Sequence, residues 1–333
     1  MRSKKIDYRT VPVEYEKFPV LVRNWEYSAH ILRKLNDSLS HEFSTKGFTV
    51  AIAGSFGRMD AAEGLSDFDY LLLMDRNIKN PETIQKRITK IAKAHGLPMP
   101  NTTGVFTEPT SIDSMIHQAG SNDDNLYRSA KRLLLLMECK PIYNETLFSS
   151  AIDTILKHYL QHSIADLRKE PIYLLNDVIR YFRGICVNYE YNFWKKADKW
   201  VIRYIKLLHS RLIMYAGLLF LTLNSSKVSH ASEKYEYIRS QIFLTPLEKL
   251  LHVYTDNDDH SFNHLLGIYS VFLSKLSDPM SRELLKFEYE DRHHDALYSE
   301  LRVTGDALRK ELMRFLLSRK GVWSDNVIEY LIF

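Results

Sequence analysis

The sequence predicts an α+β protein: a small mixed-sheet part first, then a long, mostly α-helical part. Three observations carry this. Strand-like apolar runs occur at Gly47–Ala53, Phe68–Met74 and Thr102–Glu108. No strand pattern follows Ile142. From Asn122 onward, apolar residues recur almost continuously at helical spacing.

The elements are read in order. Residues 1–20 hold Pro12 and Pro19 without a clear period and form a lead-in segment. Leu21–Phe43 has helical spacing and few breakers. Gly47–Ala53 is β-branched and apolar, a buried strand. Gly54–Ser66, rich in Gly, Ser, Asp and Ala, is a loop with room for one helical turn. Phe68–Met74 is a second buried strand, and Pro81–His95 a helix with Pro at its first turn and Gly96 as its stop. Thr102–Glu108 is a third strand, ended by Pro109. Helices are then expected at Asn122–Glu138, Glu145–Lys169, Pro171–Phe193, Asp198–Asn224, Ser232–Phe243, Pro246–Tyr254, Ser261–Lys275, Ser281–Arg292 and Ala296–Ser318. Pro141 and Asn144 separate two helical patterns, which sets a boundary between domains at 1–145 and 146–333. No Ser/Gly-rich linker lies there, so tight packing of the two parts is expected.

Composition narrows the class. With 333 residues and 45% apolar content, the chain can bury a full core without staples. Cys139 and Cys186 are its only cysteines, so a disulfide framework is excluded and a reducing, cytoplasmic setting is expected. The N-terminal charges are not followed by an apolar run, which argues against a signal peptide. Leu212–Leu223 is the longest apolar stretch. It is too short to span a bilayer and fits a buried helix, so no membrane partner is expected. Net charge is only +4, yet eight Lys or Arg stand against three acids between Asp177 and Arg211. That local excess suits either a polyanionic ligand or a solvated basic face.

The chemistry concentrates in Gly54-Ser55-Phe56-Gly57-Arg58, followed after seven residues by Ser66-Asp67-Phe68-Asp69. A Gly-Ser turn after a buried strand offers N–H groups and a hydroxyl to phosphate oxygens. Gly54 permits close approach because it lacks Cβ. Arg58 brings a planar donor fork. Asp67 and Asp69, two apart on an extended strand, project from one face. Two neighbouring carboxylates repel unless a hard cation such as Mg²⁺ lies between them.

This pattern, continued by Tyr70-Leu71-Leu72-Leu73, resembles the signature of the DNA polymerase β-like nucleotidyltransferases, in particular the bacterial branch near the PII uridylyltransferase catalytic core. The resemblance covers about residues 20–145. It implies a small mixed-sheet catalytic domain with a helical domain closing the nucleotide cleft. Gly54 and Ser55 would hold the phosphates of a bound NTP, ATP among them. Asp67 and Asp69 would bind Mg²⁺ or Mn²⁺. The family's third metal-binding carboxylate, which helps activate the attacking hydroxyl, is assigned to Glu108, with Asp113 as the alternative. Asp123 and Asp124 read instead as a helix N-terminus.

Related enzymes set basic and hydroxyl side chains of the helical domain against the triphosphate. Lys199, Arg203, Lys206 and Ser210, spaced 4, 3 and 4, form one helical stripe suited to that role. Arg128, Lys131 and Arg132 form another basic cluster, either at the cleft or on the polar face of an amphipathic helix. His293 and His294 are adjacent on a helical pattern and point too far apart to chelate one ion. The apolar C-terminal Val327–Phe333 either docks on the body or meets a second subunit, so a homo-oligomer is open.

The expected activity is transfer of NMP from an NTP to a hydroxyl, with release of pyrophosphate. A protein side chain or an RNA end is the favoured acceptor, ahead of a small molecule. Two alternatives stand beside it: a catalytically silent nucleotide-binding sensor or interaction module, and a tRNA-modifying nucleotidyltransferase toxin.

Overall fold

The computed structural model describes residues 10–44, 47–75, 78–99, 105–106, 108–161, 171–193, 200–286, 294–323 and 329–331. It is a mixed α+β fold with one four-stranded sheet and a helical majority.

The sheet is built from β1 (Phe48–Ile52), β2 (Tyr70–Met74), β3 (Thr110–Ser111) and β4 (Lys140–Tyr143), in the order β3-β2-β1-β4. β1 runs antiparallel to β2, with Val50 opposite Leu72, and antiparallel to β4. β2 and β3 are parallel, with Leu73 opposite Thr110. All five residues of β1 are buried, as its unbroken apolar run requires.

Two strand expectations need correction. The third strand lies beyond Pro109, at Thr110–Ser111, not within Thr102–Glu108. Residues 105 and 106 form a turn, and 100–104 and 107 lie outside the described residues. Pro109 has no N–H to give a ladder, so pairing starts after it. Lys140–Tyr143, where Pro141 was read as a divider, is β4 at the sheet edge. Pro141 sits opposite Ala51 at a bulge, a place where a missing donor is tolerated.

α1 (Pro19–Glu42) lies against β4 and α3 (Pro81–Ala94). The loop after β1 opens with a single turn, α2 (Gly54–Gly57). α4 (Ile112–His117), where a loop was expected, follows β3, capped by Ser111. α5 (Leu126–Met137) begins at its cap Asn125, later than expected, because the Asn125 side chain accepts from the Arg128 N–H.

α6 (Glu145–Gln161) and α7 (Ile172–Phe193) lead to a long helix in three parts. These are α8 (Trp200–Lys206), a π-helical turn (Leu207–Arg211) and α9 (Leu212–Asn224). From Trp200 to Lys227 this helix is long and apolar enough to cross a membrane, with a mean hydropathy of 1.3. In the fold it is a core helix, 72% buried over its apolar window. α10 (Ala231–Gln241), α11 (Pro246–Thr255), α12 (Phe262–Leu276), α13 (Pro279–Leu284) and α14 (Ala296–Ser318) complete the chain. α11 crosses α9 closely at Gly217, where a Cβ would stand 2.7 Å from the Pro246 carbonyl oxygen. Residues 327, 328, 332 and 333 of the C-terminal apolar run lie outside the described residues.

One hydrophobic core runs from the sheet through α9, α11, α12 and α14. Polar bonds tie the first 145 residues to the rest. Asn24 on α1 donates to Ser277 at 3.0 Å, and Lys140 donates to the Phe243 carbonyl at 3.0 Å. Lys249 of α11, 1% exposed, donates to the carbonyls of Leu136 (2.6 Å) and Met137 (2.9 Å) at the end of α5. A positive side chain at a helix C-terminus satisfies its orphan carbonyls. Lys249→Met keeps the volume and removes both bonds. We expect it to lower stability by about 1–3 kcal/mol in urea denaturation, because two buried carbonyls lose their donor.

Candidate active site

A cleft lies between the loop after β1, the start of β2 and the helical part. Gly54, Ser55, Arg58, Asp67 and Asp69 line it from the sheet side, and Lys206 and Ser210 from the helical side. Seven residues of the expected site thus share one cavity. Arg203 is half-buried beside it and does not line it. Lys199 lies outside the described residues.

Glu108 is the clear departure. It is exposed, does not line the cleft, and offers its carbonyl to Lys131 at 2.9 Å. Its strand was expected before Pro109 and forms after it, so the residue falls outside the sheet. Asp113, the alternative, meets His117 at 3.0 Å on α4 and is also absent from the lining. Among the described residues, no three of His, Cys, Asp and Glu are gathered as a metal cage. Arg132 and Lys131 are buried structural donors away from the cleft: Arg132 pairs with Asp124 at 2.7 Å, and Lys131 holds Glu108 and Thr110.

The Gly-Ser turn is built around Asp69. Gly54 has φ +64°, and a Cβ there would stand 2.7 Å from Asp69 Oδ2. Glycine is therefore required twice, for backbone conformation and for the carboxylate's approach. Asp69 lies just before β2, where its carbonyl accepts from the Ala53 N–H at 2.8 Å. Phe68, fully buried, stacks on Tyr70 and turns its neighbours Asp67 and Asp69 toward the cleft. Burial pushes the Asp69 carboxyl up to about 6, and Asp67 and Glu138 add repulsion against the pull of Arg211.

Glu138 organises the floor. Its side chain is fully buried. It accepts from the Gly54 N–H at 3.0 Å and from Arg58 Nη1 at 2.7 Å, and Arg211 Nη1 stands 3.5 Å away. Arg58 also grips Asp60 through Nε (3.0 Å) and Nη2 (3.2 Å). Asp60 in turn accepts from the Tyr269 hydroxyl at 2.7 Å. The donor fork that sequence reasoning offered to a phosphate is thus largely occupied by two carboxylates, and the Gly54 N–H is occupied as well.

Four lining or supporting residues are not among the assigned site residues: Glu138, Asp60, Arg282 and Arg211, the last counted in the sequence only within the basic excess. A lone acid between the apolar run Leu133–Met137 and a strand was the available signal for Glu138. Arg211 joins Lys206 because of the π turn. Residues five apart lie roughly 140° apart on an α-helix. Under i→i+5 bonding they come onto one face.

The pairs Arg58–Asp60 and Arg211–Glu138 leave two acids and two cations over. Among the described residues, Asp67, Asp69, Lys206 and Arg282 have no ion-pair partner within 4 Å. Burial pushes the Lys206 ammonium down to about 8, with Arg282 and Arg211 adding to the effect against the pull of Asp67.

Two outcomes follow. Asp69 has a raised carboxyl, so its favourable contribution is complete below about pH 4 and is lost as pH rises through about 6. Asp69→Asn should therefore gain on the wild type, by on the order of 2 kcal/mol, between pH 4 and pH 7 in urea titrations run in EDTA. Gly54→Ala should cost about 1–3 kcal/mol by the same measurement, from the left-handed backbone and the displaced carboxylate.

No protein-family model matches the chain, and no curated protein matches it in sequence, so the cleft's own geometry carries the functional reading.

Proposed function

We propose that the cleft binds a nucleoside triphosphate with a divalent cation, and that the protein transfers NMP to a hydroxyl acceptor with release of pyrophosphate. The carrying observation is the sorting of charge in one cavity: Asp67 and Asp69 on the sheet side, Lys206 on the helical side. A cation satisfies the two carboxylates and a polyphosphate the ammonium.

The residues fit one Mg²⁺ or Mn²⁺. Mg²⁺ is commonly held by one or two carboxylates together with substrate phosphates. Asp67 and Asp69 would hold it, and the missing Cβ of Gly54 keeps Asp69 close to the Gly-Ser turn. When bound, the ion would supply charge neutralisation at the transferred phosphoryl group. The chain's own part is to bind and orient. Ser55 and Ser210 line the cleft with hydroxyl groups, Lys206 meets phosphate charge, and Arg211 with Arg58 holds the floor rigid through Glu138. The division into a catalytic domain at 1–145 and a cleft-closing helical domain at 146–333 belongs to the same reading. So do a cytoplasmic setting and a protein or RNA acceptor.

The position of Glu108 favours a second reading, a nucleotide-binding module without turnover. No third free carboxylate reaches the cleft among the described residues, and Glu138 is buried and engaged by donors. Activation of an acceptor hydroxyl would then rest on Asp67 and Asp69 alone.

Calorimetric titration of each NTP with Mg²⁺ tests the site. We expect micromolar binding by the wild type and its loss in the Asp67→Asn/Asp69→Asn double variant. Glu108→Gln should bind like the wild type. Absence of binding by any NTP to folded wild type would sink both readings. Binding without labelled NMP transfer to any component of a cell extract would select the silent module.

A further inference from the structure

Arg282 stands out on its helix. α13 buries none of its six residues, and Met280 and Leu284 are 75% and 59% exposed. Arg282 alone among them lines the cleft, where its guanidinium is half-buried. Burial lowers the tendency of that group to hold its proton, and Asp67 only partly offsets this. Its one hydrogen bond among the described residues is from Nη1 to the Leu65 carbonyl at 2.6 Å. A guanidinium has five N–H donors, so most of its capacity is unused among the described residues. Lys206 lines the same cavity, and these two cations, unlike Arg211, have no carboxylate within 4 Å among the described residues and repel one another. Such a cluster is kept at a cost in stability unless an anion fills it.

We propose that Arg282 is an anion-binding side chain delivered to the cleft by α13, and that its ligand is the polyphosphate of a nucleotide. The proposal rests on reading the cleft as a nucleotide site, and it adds a contact outside the Lys199–Ser210 stripe. Without anion, Arg282 holds the Leu65 carbonyl two residues before Asp67 and so keeps the acidic loop in place. With anion, its free N–H groups meet phosphate oxygens beside Lys206 and Ser210. The anion's donors, Arg282, Lys206 and Ser210, are distinct from the carboxylates of Asp67 and Asp69, so the anion site is tested without metal.

The test uses sodium tripolyphosphate with the full chain in EDTA, read by calorimetry and by thermal melting. Wild type should bind and melt higher with tripolyphosphate. Arg282→Gln keeps a donor for Leu65 and removes the charge. It should weaken tripolyphosphate about tenfold or more and flatten the dependence of Kd on salt. Without anion its melting temperature should equal or exceed that of wild type, because one repulsive cation is gone. Arg282→Lys should retain most of the affinity. A structural role predicts the reverse pattern, a lower melting temperature with unchanged Kd, and that result would overturn the proposal. So would wild type that ignores tripolyphosphate, or that binds orthophosphate as tightly. Failure here is separable from failure of the wider reading. Mg²⁺–NTP binding that needs Asp67 and Asp69 but is indifferent to Arg282→Gln sinks only the Arg282 assignment. Tripolyphosphate binding through Arg282, with no NTP bound under any condition, sinks the nucleotide reading and leaves Arg282 as the anchor of a different polyphosphate.

Discussion

A buried carboxylate, Glu138, is the constraint on which the rest of the site depends. A charge removed from water is tolerated only when it is paired and hydrogen-bonded. Glu138 recruits its partners from two separate parts of the chain: the Gly54 N–H and Arg58 at the two ends of α2, and Arg211 in the π turn. Its own position is fixed from behind. It caps α5, whose last carbonyls Lys249 holds, and it leads within two residues into β4. Its backbone carbonyl also lies against Gly57, where a Cβ would approach to 2.5 Å. Sheet, loop and helical bundle therefore meet around one side chain. The shape of the cleft above it follows from that meeting.

The site's charges divide into a structural set and a working set. Arg58, Asp60, Arg211 and Glu138 neutralise one another and give rigidity, with Tyr269 joining through Asp60. Asp67, Asp69, Lys206 and Arg282 are not neutralised by close pairs among the described residues, which is a destabilised arrangement. Natural sites accept such local cost where ligand binding recovers it. The shifts of Asp69 upward and Lys206 downward carry that cost in opposite directions, each group pressed toward its neutral form. A preorganised floor beneath a set of unpaired groups is the arrangement that electrostatic recognition of a charged ligand calls for.

Much of the sheet side was legible in the sequence, and less of the helical side. The spacing from Gly54 to Asp69 identified the turn and both acids, because strand periodicity and glycine chemistry are local signals. Lys206 and Ser210 were legible as members of a helical stripe. Arg211 was not, since the π turn breaks the 3.6-residue period on which such a stripe depends. Glu138 reads in sequence as the polar end of a helix, and only the tertiary fold shows that it is enclosed. Arg58 was found, but its engagement by Asp60 and Glu138 depends on partners two and eighty positions away. β3 was misplaced because two residues carry no periodicity at all. β4 was hidden by Pro141, a residue that argues against a central strand and says nothing against an edge.

Those two short strands have a consequence for association. An open sheet edge presents unpaired N–H and C=O groups on which another chain can add. Here one edge is β3, only two residues long, and the other is β4, which carries Pro141 and is buried along its length. Among the described residues, neither end offers a template for a fifth strand. The described sheet is closed to growth by strand addition, so a second copy of the chain cannot join it edge to edge.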